Sequence, residues 1–229
     1  MTESAKKLTQ KIYVFLVGMC LAIPSAAAHP HAWITMNATL KFNKQGKVYA
    51  VYQEWKFDKE YSALAIEGLD TNKDDFYSPD ELEPLSIENI KALEEYNYFT
   101  YLNVNGEKSK FSTVKKYGQY FANGQLNMSF TVPLKTPIDP RTAKLNLKIY
   151  DPTFYIAMDY QKTNPVSVLG DMPKSCKIKL KPVASDQEID NTRRLLDGKG
   201  KDWMPDSNEE FGALFAQPLD VICTENKAS

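Results

Sequence analysis

Residues 32–57, AWITMNATLKFNKQGKVYAVYQEWKF, decide the fold class, because hydrophobic and polar residues alternate along most of the stretch. The segment is rich in β-branched and aromatic residues, which are common in strands. The polar turn Asn43–Gly46 divides it into two runs. Two such runs around a Gly-containing loop predict a β-hairpin, so we expect strands to dominate the structure.

Further short strands are predicted beyond residue 98, where alternating runs return. Two of the connections are Asn105-Gly106 and Asn123-Gly124, and Asn-Gly between alternating runs is the strongest short-range hairpin signal. The predicted strands cover residues 98–104, 108–113, 115–121, 126–134, 144–150, 154–160 and 176–181. A helix over 186–196, a polar linker over 199–209 and an apolar tail over 211–223 complete the chain.

Two helices are predicted between the first hairpin and these later strands. Asp58 is a good residue to cap the start of a helix, and apolar residues follow it at helical spacing. A second helix runs from Pro79 to about Tyr96, and Pro is well tolerated at a helix start because its missing N–H would be unpaired there. The predicted fold class is α+β: a mostly antiparallel β-sandwich with an inserted EF-hand-like helix-loop-helix at about residues 58–97.

The loop between the two helices matches the pattern of an EF-hand calcium loop. Oxygen-bearing side chains fall at its first, third, fifth, ninth and twelfth positions. This pattern suits Ca²⁺, a hard cation that takes about six to eight oxygen ligands. The predicted ligands are the side chains of Asp70, Asn72, Asp74, Ser78 and Glu81 and the backbone carbonyl of Phe76.

Asp75 departs from the EF-hand pattern, because the sixth position of such a loop is normally a Gly with a positive φ. Asp can adopt that conformation at a cost of about 1 kcal/mol. The competing interpretation is a vestigial acidic loop that caps the second helix without binding metal. Both interpretations remain open at this stage, and a single loop predicts weak calcium affinity.

The first 28 residues have the three-part form of a secretory signal peptide. Lysines precede the apolar run Ile12–Pro24, and Ser25–Ala28 supplies the small-residue cleavage pattern. The run is too short to cross a bilayer as a helix, which takes about 20 residues. Cleavage after Ala28 would make His29 the first residue of a single periplasmic domain, residues 29–229.

The composition of the mature chain excludes some classes of partner. Loss of three lysines and Glu3 with the signal leaves 25 basic and 28 acidic residues, so no basic field would attract nucleic acid or anionic lipid. The hydrophobic content of 43% argues for a packed domain. After cleavage we expect no membrane span. Cys20 would mark a lipoprotein instead, but Met19 before it fits that signal poorly.

His29 and His31 are the only histidines in the chain, and both lie at the predicted mature N-terminus. The α-amine of His29 and the two imidazoles would offer three nitrogens, which suit Cu²⁺, Ni²⁺ or Zn²⁺. Pro30 lacks an amide N–H, so binding through deprotonated backbone amides is blocked. Asp151 is a candidate fourth ligand, although an Asp before Pro152 is more typical of a turn. The competing interpretation is a polar strand leader without a ligand role.

Cys176 and Cys223 are the two cysteines that remain after signal cleavage. An even pair in an exported protein predicts a disulfide. It would tie the C-terminal tail to the body of the protein and stabilise the fold by about 4 kcal/mol in the chain-entropy model. A metal site shared by the two thiolates is the alternative, although neither Cys has a second ligand residue nearby in sequence.

These features, in this order, resemble an exported family of unknown function described as the periplasmic component of an uncharacterised ABC-type transport system. The most specific matches are His29–Ile34 and Tyr150–Tyr155. The others are Phe57-Asp58, the loop Asp70–Glu81, Tyr96–Phe99 and the two cysteines, so the resemblance covers nearly the whole mature chain. Genes of that family lie beside those for nickel/cobalt-type efflux permeases. The resemblance therefore implies periplasmic metal handling with a membrane metal permease or ABC-type transporter as partner.

The predicted function is that of a periplasmic metal-binding accessory protein of a transition-metal (Zn, Ni, Co or Cu) transport system, with an additional calcium loop. We do not expect an enzyme, because neither a Ser/His/Asp nor a Cys/His set can be assembled. A copper oxidase built on an N-terminal histidine is the enzymatic alternative. The remaining alternative is a calcium-stabilised periplasmic interaction module in which His29 and His31 play no part.

Overall fold

The first predicted hairpin is present in the computed structural model, which describes residues 30–183 and 210–224. Strand β1 covers Ala32–Phe42, strand β2 covers Val48–Phe57, and the two pair antiparallel. The predicted signal peptide, His29, the predicted helix over 186–196 and the linker over 199–209 lie outside the described residues. No helix in the described part of the chain is long and apolar enough to cross a membrane.

One sheet, which we call sheet A, is built around this hairpin in the order β5–β6–β2–β1–β8. Strand β9 follows β8 along the same edge of β1, and both run parallel to it. Sheet A is therefore mixed, although most of its strand pairs are antiparallel, as the sequence predicted. The other strands of this sheet are β5 (Tyr117–Ala122), β6 (Gln125–Ile138), β8 (Ile156–Tyr160) and β9 (Val166–Gly170).

The second sheet, sheet B, has the order β10–β11–β7–β3–β4, and every pair in it is antiparallel. Its strands are β3 (Thr100–Val104), β4 (Glu107–Lys108), β7 (Leu145–Ile149), β10 (Cys176–Leu180) and β11 (Leu219–Cys223). The predicted mostly-β structure of two sheets with few helices is confirmed.

Both predicted Asn-Gly turns close hairpins, one between β3 and β4 and one between β5 and β6. Their φ values are 53° and 95° at Asn105 and Gly106, and 54° and 74° at Asn123 and Gly124. Positive φ at both central residues is the geometry that fits the twist of paired strands. The predicted strand over 108–113 is much shorter, because the chain leaves sheet B after β4 and crosses to sheet A.

The predicted helix pair is present as α1 (Lys59–Ala65) and α2 (Pro79–Glu95). Leu82 and Ile90 of α2 and Leu102 of sheet B belong to the same buried core as Phe130 of β6. The helix pair and sheet B therefore cover the same face of sheet A. On its other face, side chains such as Trp33 of β1 and Tyr120 of β5 are exposed.

A hydrogen-bonded chain of buried polar groups joins the two sheets. Gln53 of β2 is completely buried, and its Oε1 accepts from Trp55 Nε1 at 3.0 Å. Its Nε2 donates to the hydroxyl of Thr100 in β3 at 2.6 Å, and that hydroxyl donates to the carbonyl of Tyr98 at 2.9 Å. We call Gln53, Trp55 and Thr100 the buried network. It satisfies groups that would otherwise be costly to bury.

The turn before β3 is left-handed over three residues other than glycine. The φ values of Asn97, Tyr98 and Phe99 are 53°, 55° and 52°, and such a conformation costs roughly 1–2 kcal/mol per residue. Packing holds it in place, because Phe99 stacks on Trp55 with ring centroids 5.9 Å apart and the Tyr98 hydroxyl accepts from the N–H of Val114 at 3.1 Å. We call residues 97–99 the left-handed turn.

We expect Gln53→Leu to lower the free energy of unfolding by about 2–3 kcal/mol, because Trp55 Nε1 would be left buried without an acceptor. Urea unfolding followed by tryptophan fluorescence measures the change. Gln119→Leu is the matched control, since Gln119 is also buried but its Nε2 has no partner among the described residues. Equal destabilisation by the two substitutions would contradict the role of the buried network.

Candidate functional site

His31 lies at the exposed start of sheet A, directly before β1. Its N–H donates to the carbonyl of Tyr155 at 2.8 Å. The imidazole and the phenol ring of Tyr155 have centroids 4.5 Å apart and planes tilted by 31°. The backbone and the side chain of His31 are therefore both held against the residue that precedes β8. His29, the other predicted ligand, lies outside the described residues.

The turn that carries Tyr155 is organised by Asp151. Its Oδ1 accepts from the N–H and the hydroxyl of Thr153 at 2.9 and 2.8 Å, and its Oδ2 accepts from the N–H of Ile156 at 2.9 Å. The side chain is buried, with 4% of the residue exposed. The carboxylate of Asp151 is engaged in shaping this turn, which agrees with the turn interpretation of the sequence.

The C-terminal segment supports the same turn. A Cβ on Gly212 would lie 1.8 Å from the carbonyl oxygen of Asp151, so only glycine fits this close approach. Phe154 stacks on Phe215 with centroids 4.1 Å apart and meets Phe211 edge-on at 5.9 Å. The sequence predicted an apolar tail here but not its contact surface. Gly212, which lies between Phe211 and Phe215, was the sequence feature that could have indicated this close approach.

Asp58 holds Trp33, the first outward-pointing residue of β1, through two hydrogen bonds. Its Oδ2 accepts from the N–H of Trp33 at 2.7 Å, and its own N–H donates to the carbonyl of Trp33 at 2.9 Å. Its Oδ1 caps α1 by accepting from the N–H of Tyr61 at 2.8 Å, as predicted. Burial raises the pKa of Tyr61, and the neighbouring Tyr155 and Asp58 raise it further. The phenol of Tyr61 therefore stays neutral beside the start of the sheet.

In the acidic loop, residues 70–81, several side chains accept hydrogen bonds from the backbone of the loop itself. Asp70 accepts from the N–H groups of Asp74 and Asp75 at 3.2 and 3.1 Å. Asn72 Oδ1 also accepts from the N–H of Asp74, at 3.0 Å, and Asp74 in turn accepts from the N–H of Phe76 at 2.9 Å. Asp75 has a φ of 59°, so it adopts the left-handed conformation that glycine normally supplies at this position.

Glu81, the predicted bidentate ligand, caps the start of α2 in this structure. Its Oε1 accepts from the N–H and the hydroxyl of Thr71, both at 2.8 Å. Its Oε2 accepts from the N–H and the hydroxyl of Ser78 at 3.0 and 2.8 Å, which completes a capping box. These bonds from Ser78 and Thr71 lower the pKa of Glu81 from 4.5 to about 2.

The carboxylates of Asp70, Asp74 and Glu81 accept hydrogen bonds from the acidic loop itself. Within residues 30–183 and 210–224, no three His, Cys, Asp or Glu side chains are grouped so that they could hold a metal ion. Cys176 and Cys223, in contrast, do meet. They face one another across β10 and β11 and form the predicted disulfide, which ties β11 to the strand beside it.

Fold and site together define a disulfide-bonded protein of two β-sheets with an inserted helix pair. The chain belongs to a family of proteins of unknown function, DUF1007, whose model matches residues 14–223. An uncharacterised protein of Haemophilus influenzae is 27% identical over 215 residues, which are 93% of this chain and 99% of that protein. An uncharacterised 15.5 kDa protein in the trpE 3′ region of Spirochaeta aurantia is 30% identical over 99 residues, which are 43% of this chain and 70% of that protein.

We expect the stability that Glu81 contributes to be lost in acid. Its pKa is about 2 in the folded state against 4.5 normally, so the folded protein binds this proton less readily than the unfolded chain does. The contribution is complete above about pH 4.5 and disappears as the pH falls towards about 2. Thermal unfolding of the wild type across this range measures the loss.

Glu81→Gln is the matched variant, because glutamine can still complete a capping box but does not titrate. The difference in melting temperature between the wild type and this variant should shrink as the pH falls below about 4.5. A difference that stays constant down to about pH 2 would show that the ionised carboxylate does not contribute.

Proposed function

We propose that this protein is a periplasmic metal-binding accessory protein of a transition-metal transport system, and that it binds Zn²⁺, Ni²⁺ or Cu²⁺ at its N-terminus. The position of His31 is the observation that carries the proposal. The imidazole lies at the exposed start of sheet A, where Tyr155 holds both its backbone and its ring. His29 is two residues away, at most about 7 Å along the chain, so its nitrogens can reach the same ion.

The compartment and the partner belong to the same proposal. The disulfide between Cys176 and Cys223 supports an oxidising compartment such as the periplasm, because such bonds are rare in the cytosol. Signal cleavage after Ala28 would supply the α-amine of His29 as a further ligand. A membrane metal permease or ABC-type transporter is the partner that would exchange metal with this site.

We further infer that the acidic loop binds Ca²⁺. Asp75 already has the positive φ that an EF-hand loop needs at its sixth position. Asp70 and Asn72 are turned towards the backbone that would surround the ion. Glu81 would have to exchange its hydrogen bonds to Thr71 and Ser78 for ion contacts. The same loop favours the second candidate function, a calcium-stabilised interaction module without a transition metal.

We expect the α-amine of His29 to be a metal ligand. Adding one alanine before His29 keeps both imidazoles but converts the amine into an amide, which is a far poorer ligand. The extension should therefore weaken Zn²⁺ binding about as much as His29→Ala does. Affinity should also fall as the pH drops from about 8 to about 6, because amine and imidazole must release protons to bind metal. Titration calorimetry measures both effects once mass spectrometry has established the N-terminus.

The same alanine added after Ser229 is the control for the extension and should leave metal affinity unchanged. If the N-terminally extended protein binds metal like the native one, the amine is not a ligand and the site uses the imidazoles alone. If the double variant His29→Ala/His31→Ala retains full affinity, the proposed transition-metal site is wrong.

We expect Ca²⁺ at about 1 mM to raise the melting temperature, because an ion that binds only the folded state stabilises it by mass action. Glu81→Gln should remove the Ca²⁺-induced rise while it preserves the helix cap. Glu83→Gln, an exposed neighbour on α2, is the matched control and should respond like the wild type. Asp75→Gly should enlarge the rise, since the backbone there is left-handed. No rise in the wild type would establish the vestigial interpretation.

A further inference from the structure

A polar groove of about 350 Å³ crosses the outer face of sheet A, the face that neither sheet B nor the helix pair covers. Strand register arranges its side chains in two neighbouring rows across β5, β6, β2 and β1. One row is Tyr120, Asn127, Lys56 and Thr35, and the other is Gly118, Ser129, Glu54 and Asn37. Gln161 closes the groove beyond β1.

Glu54 lies at the centre of this groove and is held in position by neutral donors. Its Oε1 accepts from the hydroxyl of Tyr52 at 3.1 Å, and its Oε2 accepts from Nδ2 of Asn37 at 3.0 Å. No described residue forms an ion pair with it. Each carboxylate oxygen can accept a further hydrogen bond. Burial raises the pKa of Tyr52, so its hydroxyl stays protonated and keeps donating.

Tyr120 gives the groove an aromatic surface. The residue is 59% exposed, although it lies within a strand paired to β6. Gly118, two residues before it on the same face, has no side chain and leaves the surface beside the tyrosine open. An exposed ring at one end of an otherwise polar groove can pack against an apolar face of a ligand.

Several classes of ligand fit this surface poorly. An apolar small molecule needs a predominantly hydrophobic lining, and the groove is lined mainly by amides, hydroxyls and charges. Single-stranded nucleic acid needs a positively charged groove, whereas the carboxylate of Glu54 lies at the centre of this one. An extended peptide that adds a strand needs a free sheet edge. Among the described strands that line the groove only β5 offers one, and the centre of the groove lies on β2 and β6, which are paired on both sides.

We propose that this groove binds a short N-acetylated saccharide. Sugar hydroxyls both donate and accept, and they match the Glu54 carboxylate and the hydroxyl of Ser129. The side-chain amides of Asn37, Asn127 and Gln161 each already donate one hydrogen bond within the protein. Each keeps a second N–H and a carbonyl oxygen, which match the acetamido group. The apolar C–H face of a sugar ring packs on Tyr120. This site is separate from the metal ligands and does not depend on the proposed transition-metal function.

Titration of the mature, isotope-labelled protein with chitotetraose, followed by NMR amide shifts, tests the proposal. We expect shifts confined to the groove strands and a Kd of about 1 mM, typical of a shallow site. Tyr120→Ala should weaken binding about tenfold by removing the stacking surface. Tyr49→Ala is the matched control, because Tyr49 is also an exposed tyrosine of sheet A but does not line the groove.

Glu54→Gln should also weaken binding, since a charged acceptor is replaced by a neutral amide. Unchanged melting temperatures of the variants establish that they fold. The proposal is overturned if chitotetraose at about 10 mM, roughly ten times the expected Kd, shifts no groove resonance. It is also overturned if Tyr120→Ala binds as well as Tyr49→Ala, or if tetraglycine binds the same residues at least as tightly.

Discussion

The hydrogen bonds of Gln53 are the constraint on which the rest of this structure depends. One amide group satisfies a donor in sheet A, Trp55 Nε1, and reaches the hydroxyl of Thr100 in sheet B. An apolar residue of similar size could fill the space, but it could not pair both groups across the core. Through Thr100 the network also holds the carbonyl of Tyr98 in the left-handed turn. That turn is unfavourable by itself, and burial of its two aromatic rings offsets the cost.

The same turn connects the core with the start of sheet A, where the candidate metal site lies. The carbonyl of Phe99 accepts from the N–H of Tyr150 at 3.0 Å, and the ring of Tyr150 stacks on Tyr101 of β3 at 4.3 Å. Asp151 follows directly and shapes the turn that places Tyr155 beside His31. A continuous series of contacts thus links the surface imidazole of His31 to the buried network between the sheets.

The sequence predicted the elements whose signals are local. Alternation located β1 and β2, Asn-Gly located two hairpins, and Asp58 marked the start of α1. It did not predict β9, a short and mostly exposed edge strand, or the parallel pairing along β1, because partner choice depends on distant segments. Nor could it predict the left-handed turn, since tertiary packing overrides the local preference of aromatic residues there. At the candidate sites it correctly weighed Asp151 as a turn residue. The contact of Gly212 with that turn has no periodic signature.

Glu81 shows why a calcium loop of this kind would bind weakly. Its carboxylate accepts four hydrogen bonds from Thr71 and Ser78, and these already stabilise its charge. An incoming ion must replace those bonds before it gains the bidentate ligand. The loss of these bonds makes the net free energy of calcium binding less favourable. The start of α2 would survive the exchange, because the hydroxyl of Ser78 still accepts from the N–H of Glu81 at 3.3 Å. Calcium would therefore order the acidic loop around an existing helix rather than create the helix.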